Sequence, residues 1–406
     1  MRILFVSQLF DPENSIKGLE FARRIQALGH DVEVVTTFPS YPGGKVFQGY
    51  PQRWKQVDVV DGIRVVRLPT FISHGSSAVK RMLSYASFGV VASLYSLFGA
   101  RKPDVIYAYY PPVIVGFVAL CVGALKRVPF VYDVQDLWPE ALVATGMVKE
   151  GRVTRLVDRL CGLIYRGAAR VVVLSDGYQR ALISKQVPET KIERIFNWCD
   201  EARMGGATEE PSVVFDDRFF NILYAGNLGA AQALEHVIEA AHLVKQRGDA
   251  RVRFVFVGAG VEAARLKARA EELALDNVQF FQQVPVDQVG AILKAADGLL
   301  VHLADEPVFE ITIPSKTQAY LMMGRPILMA VKGEAARIVQ DAGAGIVVEP
   351  CQPASLAQAA LAMATLPAEE LEAMGERGRL YYREKMSMEN GVRSVDEMLR
   401  KIVENR

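Results

Sequence analysis

Residues 223–241, "LYAGNLGAAQALEHVIEAA", pass from a short apolar run through the glycine turn Gly226-Asn227-Leu228-Gly229 into a helix. A strand that turns directly into a helix is half of a β-α-β unit, and such units build parallel sheets. The same order recurs along the chain. In the first half the runs are "RILFVSQ", "DVEVVTT", "DVIYAYY", "PFVYDVQ" and "RVVVLSD". In the second half they are "FNILYAG", "VRFVFVGAG", "NVQFFQQV", "GLLVHLA", "PILMAV" and "GIVVEP". Helical patterns fill the gaps, so an α/β fold with one doubly wound sheet in each half is expected.

The stretch "CDEARMGGATEEPSVVFDD", residues 199–217, is rich in Gly, Pro and acids and interrupts this order. It marks a boundary between a first domain at 1–200, a linker at 201–217 and a second domain at 218–384. A charged helical stretch without a following strand, residues 385–406, closes the chain.

With 406 residues, half of them hydrophobic and 23% charged, the chain can bury sizeable cores. Its net charge of +1 hides an asymmetry: residues 1–200 carry 25 Lys and Arg against 17 acids, and residues 201–406 carry 22 against 29. The halves are therefore expected to meet different partners, an anionic lipid or phosphate for the first. Ordinary surface variation is the alternative. Cys121, Cys161, Cys199 and Cys351 are scattered, which points to a reducing compartment rather than a disulfide framework. The start, "MRILFVSQLF", reads as a buried strand and not as a cleavable signal. No DxD, HxxxH or Cys/His cluster is present, so no protein metal site and no cofactor is expected.

Ligands of open α/β sheets bind beyond the carboxyl ends of the strands, so the loops there hold the candidate chemistry. Gly18, near the start of a helix, would let an anion approach free amides, or is a plain turn glycine. In "YDVQDLWPEAL", Asp133, Asp136 and Glu140 surround Trp138-Pro139. Asp136 is suited to acid–base or hydrogen-bonding work, or to capping the next helix. The turn at Gly226 and the glycine pair Gly258 and Gly260 could present amides to phosphates. Neither matches a Walker or dinucleotide fingerprint. In "FEITIPSKTQAYLMMG", residues 309–324, Pro314, Ser315 and Lys316 precede an apolar helix. A cation at a helix N-terminus opposes the helix dipole unless an anion shares the site. A bound diphosphate resolves that conflict; a solvated surface lysine is the alternative.

Four stretches, in order, resemble the family 4 glycosyltransferases of the GT-B fold, in particular the bacterial surface-polysaccharide subset of O-antigen, capsule and exopolysaccharide type. They are "LFDPENSIKGLEFARRIQALGHDVEVVT", "YDVQDLWPEAL", "LYAGNLGAAQALEHVIEA" and "IPSKTQAYLMMGRPIL". The resemblance implies two Rossmann-like domains facing across a cleft, with the last helix crossing back to the first. It implies a metal-independent retaining transferase whose first domain binds the acceptor and whose second binds a nucleotide sugar. On it, the donor would meet Gly18, Gly226, Asn227, Gln232, Gly258, Gly260, Val284, Ile313, Pro314, Ser315, Lys316, Thr317 and Gln318. Asp136, Lys316 and Glu310 would serve the reaction. The sequence departs from the family where Asn227 and Gln232 replace a basic pair, Gln135 replaces a histidine, and Ala319 replaces the acid that contacts the ribose. Glu310 or Gln318 is then the candidate ribose contact.

Residues 82–100, "MLSYASFGVVASLYSLFGA", carry no formal charge and lie between Lys80-Arg81 and Arg101-Lys102. The length approaches a membrane span, but a span inside one domain would split its sheet. A helix lying in the membrane interface, with basic flanks on anionic headgroups, is expected; a buried crossover helix is the alternative. Lys80, Arg81, Trp138, Arg101 and Lys102 are thus candidate acceptor or membrane contacts. The resemblance adds a polyprenyl-diphosphate-linked saccharide as acceptor, a UDP-linked donor with an N-acetylated or deoxy amino sugar, and a cytoplasmic place at the inner membrane face. No nucleic-acid partner is expected. A sugar-nucleotide 2-epimerase of the same architecture and a catalytically silent binding protein are the competing readings.

Overall fold

Eight short apolar runs of the first half form one twisted sheet: β1 Arg2–Ser7, β2 Asp31–Thr37, β3 Gln56–Val60, β4 Ile63–Leu68, β5 Val105–Tyr109, β6 Phe130–Val134, β7 Arg170–Val173 and β8 Ile192–Arg194. The spatial order is β3-β4-β2-β1-β5-β6-β7-β8, with every neighbouring pair parallel except β3 and β4. Phe5 of β1 pairs with Val34 on one side and Tyr107 on the other, and all three are buried. Burial on both faces explains why these runs are continuously apolar. The computed structural model describes residues 1–13, 15–41, 44–72, 78–109, 113–144, 148–205, 213, 215–248 and 251–405.

Six further strands form the second sheet: β9 Phe220–Ala225, β10 Val252–Val257, β11 Val278–Phe281, β12 Gly298–His302, β13 Ile327–Ala330 and β14 Gly345–Val348. Their order is β11-β10-β9-β12-β13-β14, all parallel. Both sheets are doubly wound. The order reverses between β1 and β5 in the first and between β9 and β12 in the second, so each has a crevice at that switch point.

The chain divides into two compact units, Met1–Phe196 with Gly391–Arg406, and Asn197–Asn390. The divisions fall a few residues from the positions 200 and 384 expected from composition. Within the expected linker, Glu201–Gly205 is a short helix of the second unit, and residues 206–212 and 214 lie outside the described residues. The closing helix, Met388–Glu404, gives most of its length to the first unit, as expected. There Asp396 meets His30 Nε2 at 2.5 Å, and Arg400 donates to the Leu28 carbonyl at 3.0 Å.

Helix Ala78–Leu94 continues as a π-helical turn, Tyr95–Gly99, and links β4 to β5. Both of those strands belong to one sheet, so the uncharged run at 82–100 is a crossover. It is also, among the described residues, the one helix long and apolar enough to cross a membrane, and 28% of it is buried. Right-handed crossovers that advance from β4 through β7 share one face of the sheet, opposite the helix Leu19–Ala27 that returns from β1 to β2.

Candidate functional site

In the first unit the switch point gathers a buried polar centre. Lys17 and Asp133, each almost wholly buried, form an ion pair. Asp133 also accepts from the Tyr107 hydroxyl at 2.5 Å and from Gln135 Nε2 at 2.6 Å. The Lys17 ammonium lies 5.2 Å from the centre of the Tyr109 ring. Burial raises the Tyr107 phenol well above its ordinary range, and the Asp133 charge adds to that. An acid inside the apolar strand "PFVYDV" needs such partners, because an unpaired buried carboxylate is costly. The sequence exposes Asp133; it does not reveal that Lys17, 116 residues away, answers it.

Nearby, Glu13 is buried and accepts from the amides of Ser40 and Tyr41, each at 2.7 Å. Its pKa is raised by burial, against the pull of those amides. Gly18 has a different role from the one expected. The Asp11 carboxylate accepts from the Leu19 amide at 2.7 Å, and a Cβ on Gly18 would stand 2.2 Å from that oxygen. The helix end already holds an anion, supplied by the chain itself.

Asp136 is exposed, and desolvation by the surrounding protein raises its carboxyl pKa. It meets no hydrogen-bond partner among the described residues. Trp138, expected as a contact for acceptor or membrane, is instead buried, its ring 6.1 Å from that of Tyr85. A large indole is more stable in that core position than in water. Lys80, Arg101 and Lys102 are exposed, and Arg81 is half-buried with its Nε unpartnered among the described residues.

In the second unit the candidate residues converge on the carboxyl ends of β9, β10 and β12. Lys316 stands at the second position of helix Ser315–Met323, its ammonium 4.7 Å from the Tyr224 ring centre. No carboxylate among the described residues pairs with it. Burial lowers its pKa from 10.5 to about 8. A Cβ on Gly226 would come within 2.8 Å of Lys316 Cε, and Gly226 has φ +140°, so only glycine leaves room for the lysine under the turn. The Tyr224 hydroxyl donates to the Asn227 carbonyl at 2.7 Å, and the Tyr320 hydroxyl receives the Ala225 amide at 3.1 Å. Two tyrosines thus fix the turn above Lys316.

The sequence suggests a turn that presents its amides to phosphates; in the structure three of them are already taken. Those of Gly226 and Leu228 donate to the Val257 and Ala259 carbonyls, each at 2.9 Å, and that of Gly229 to Gln232 Oε1 at 3.1 Å. Asn227 Nδ2 also donates to Gln232, at 3.3 Å. Gly258 and Gly260 lie so close to the Gly226 and Leu228 carbonyls that a Cβ would come within 1.9 and 2.2 Å of them. These glycines serve backbone-to-backbone packing, which a strand-end glycine motif cannot distinguish from ligand approach.

Pro314 is the N-cap, Ser315 is exposed, and Ile313 and Thr317 are buried. The Thr317 hydroxyl has no partner among the described residues. Gln318 is buried, and its side-chain amide, assigned the orientation in which the nitrogen donates to the Pro314 carbonyl at 2.8 Å, folds back on its own helix and leaves the ribose role. Ala319 is buried, and Glu310 is exposed at the end of helix Pro307–Glu310. His302 is buried, and its Nδ1 lies 2.8 Å from the Gln232 carbonyl; burial lowers its pKa to about 4, which keeps the ring neutral.

A cavity of about 360 Å³ opens beside the turn, lined by Leu228, Gly260, Lys267, Phe280, Phe281 and Gln283 among others. Val284, half-buried, follows directly. Flat aromatic walls, one lysine and amide side chains suit a planar polar ring. Among the described residues no three His, Cys, Asp or Glu side chains converge as a metal site would require.

Residues 19–198 match the family model described as a glycosyl transferase 4-like domain, and residues 207–381 match that of the glycosyl transferases group 1. The "Putative colanic acid biosynthesis glycosyl transferase WcaI" of Escherichia coli (strain K12) is 29% identical over 338 residues, which span 80% of this chain and 82% of that protein. The "Probable glycosyltransferase WbjE" of Pseudomonas aeruginosa is 28% identical over 271 residues, 64% of this chain and 66% of that one. Among solved structures, Anabaena Alr3699/HepE in complex with UDP covers 99% of this chain and 100% of its own, with a TM-score of 0.67 at 15% identity. That likeness is one of fold.

Proposed function

We propose, for a chain that belongs to the glycosyltransferases with a 4-like domain followed by a group 1 domain, that it transfers a sugar from a nucleoside-diphosphate donor to a lipid-linked saccharide in bacterial surface-polysaccharide synthesis. The observation that carries this reading is Lys316: a cation without a carboxylate partner, beneath a glycine turn and at a helix N-terminus. Its charge is unfavourable there until an anion arrives. When the sugar leaves, negative charge grows on the diphosphate, and a fixed ammonium beside helix-end amides stabilises it. The cavity beside Phe280 and Phe281 takes the base, with UDP the first candidate. We assign no metal to this charge-neutralising step, and we assign retention of the anomeric configuration on family grounds. Asp136, exposed yet desolvated, hydrogen-bonds the incoming acceptor hydroxyl or the reacting sugar.

The outward face of the crossover helix supports a place at the inner membrane surface. Leu83, Val90, Leu94 and Phe98 are all more than half exposed and recur every four to seven residues along it, and Lys80, Arg101 and Lys102 flank it. Such a face lies in the interface rather than across it.

The test is melting of the purified protein with UDP, GDP, ADP and CMP, then turnover of a panel of UDP-sugars, amino sugars included, with and without a polyprenyl-diphosphate saccharide. One diphosphate should raise the Tm. Sugar transfer that needs the lipid acceptor supports the reading; epimerised free nucleotide sugar without acceptor, or no turnover, removes it. The product's anomeric configuration, read by NMR, decides retention.

Proton linkage gives a second check. Free Lys316 loses its proton near pH 8, and a bound diphosphate holds the proton on. Binding therefore takes up a proton above pH 8, and affinity should fall between pH 7 and 9.5, approaching about tenfold per unit. The group's effect on folding has the opposite sign: between about 8 and 10.5 the unfolded chain holds more protons, so folding is relieved as pH rises. Titration calorimetry at both pH values reads the affinity. Equal affinity at pH 7 and 9.5 contradicts a phosphate at Lys316.

A further inference from the structure

Helices Ala78–Leu94, Ile114–Lys126 and Arg152–Gly167 lie side by side over one face of the first sheet, the first against the second and the second against the third. The third has an outward side that its sequence position did not single out. Its buried row is Thr154, Val157, Cys161, Ile164 and Tyr165. Opposite that row, at helical spacing, stand Arg152, Arg155, Arg159 and Arg166, all exposed. None of the four has an ion-pair partner among the described residues. Between the arginines and the core runs a shoulder of Val153, Leu156 and Leu163, exposed by 54%, 67% and 50%.

Charge around this side is positive on balance. The helix has a single acid, Asp158, and Lys185 holds both it and Glu140, each at 2.7 Å. Glu150 precedes it beside Lys149. The two neighbouring helices, with the turn Tyr95–Gly99, carry Lys80, Arg81 and Lys126 and no acid, and Arg101, Lys102 and Arg127 follow directly at their ends. An aliphatic row beside unpaired guanidinium groups matches the two layers of an anionic bilayer surface. The aliphatics suit the acyl boundary and the planar forks suit headgroup phosphates. A protein partner would need a complementary acidic and apolar surface.

We propose that the Arg152–Gly167 helix is a second docking element for anionic phospholipid, which widens the surface begun by the 78–99 crossover from one helix to the whole layer. The proposal rests on the membrane reading above. Its consequence is orientation: two separated helices fix the tilt of the first unit on the bilayer, where one would let it rock about the helix axis.

The full chain would be sedimented with vesicles of phosphatidylglycerol and phosphatidylethanolamine, and with vesicles of phosphatidylcholine alone. Wild type should bind the anionic vesicles, less so as salt rises. The variant Arg152→Gln, Arg155→Gln, Arg159→Gln should partition about 100-fold more weakly, from three headgroup contacts. It should melt as wild type does and keep its nucleotide-induced Tm shift. Wild type that ignores every vesicle sinks the membrane reading and this proposal together. Wild type that binds, with the triple variant unchanged and a Leu94→Ser, Phe98→Ser variant weakened, overturns this proposal and leaves the crossover as the only docking element. Concentration-dependent self-association that Leu156→Ser, Leu163→Ser abolishes, with vesicle binding unchanged, also overturns it and makes the face a contact between copies.

Discussion

Lys17→Met is expected to lower the melting temperature of the protein by about 10 °C, because removing one partner of a buried ion pair costs about 3–5 kcal/mol. The variant leaves Asp133 buried with only Tyr107 and Gln135 to donate to it. Neither brings a positive charge, so the carboxylate must stay ionised at a cost or take up a proton. The accompanying double variant, Lys17→Met with Asp133→Asn, should recover part of the loss, since the amide carries no charge to compensate. Differential scanning calorimetry reads both. A single variant that melts within about 2 °C of wild type, below the shift from even 1 kcal/mol, would mean that solvent reaches the pair. Because two units need not unfold together, the shift should fall on one transition only, that of the first unit.

Lys316→Ala is expected to reduce kcat/KM by about 100- to 1000-fold, the scale seen when one fixed donor to a developing anion is removed. The stability of the free protein should move the other way or stay put. A partly buried ammonium without a carboxylate partner is a cost to folding, and alanine removes it. This split separates a ligand-binding lysine from a structural one: a structural lysine would lose Tm in the free protein and leave the nucleotide-induced shift intact. Lys316→Arg gives a further discrimination. It keeps a cation but is bulkier than the lysine, which lies so close under Gly226 that a Cβ there would stand only 2.8 Å from Lys316 Cε. Activity should therefore not return in full, whereas any residual nucleotide binding should lose its fall with pH, because a guanidinium does not titrate there.

The sequence carried the second sheet completely: six apolar runs were legible and six strands form. In the first sheet five runs were legible and three strands were not. β3 and β4 read "QVDVV" and "IRVVRL", with charges that interrupt the apolar pattern, and β3 is a half-exposed edge. β8 has three residues, too few for a period to show. The site was legible in its loops and obscure in its contacts. "IPSKTQAY" announces an anion site through one misplaced cation. Yet whether a strand-end glycine faces a ligand or another backbone depends on what lies across from it, and for Gly18, Gly258 and Gly260 the neighbour is protein. Gln318 and Trp138 were misjudged for the same reason: polarity and size suggest roles, and only packing assigns them. The Arg152–Gly167 face was missed because its arginines look like an ordinary solvated helix until the exposure of Val153, Leu156 and Leu163 is known.

The first unit is assembled from both ends of the chain, Met1–Phe196 and Gly391–Arg406. During synthesis its last helix emerges only after the whole second unit, a delay of roughly 10–40 s at ribosomal rates. Through that interval the surface around His30 and Leu28 waits for Asp396 and Arg400. The nascent first unit keeps that surface uncovered, while the second unit, contiguous in sequence, can fold as soon as it leaves the exit tunnel. A stop codon or frameshift near residue 390 would release a chain whose second unit is whole and whose first unit never closes.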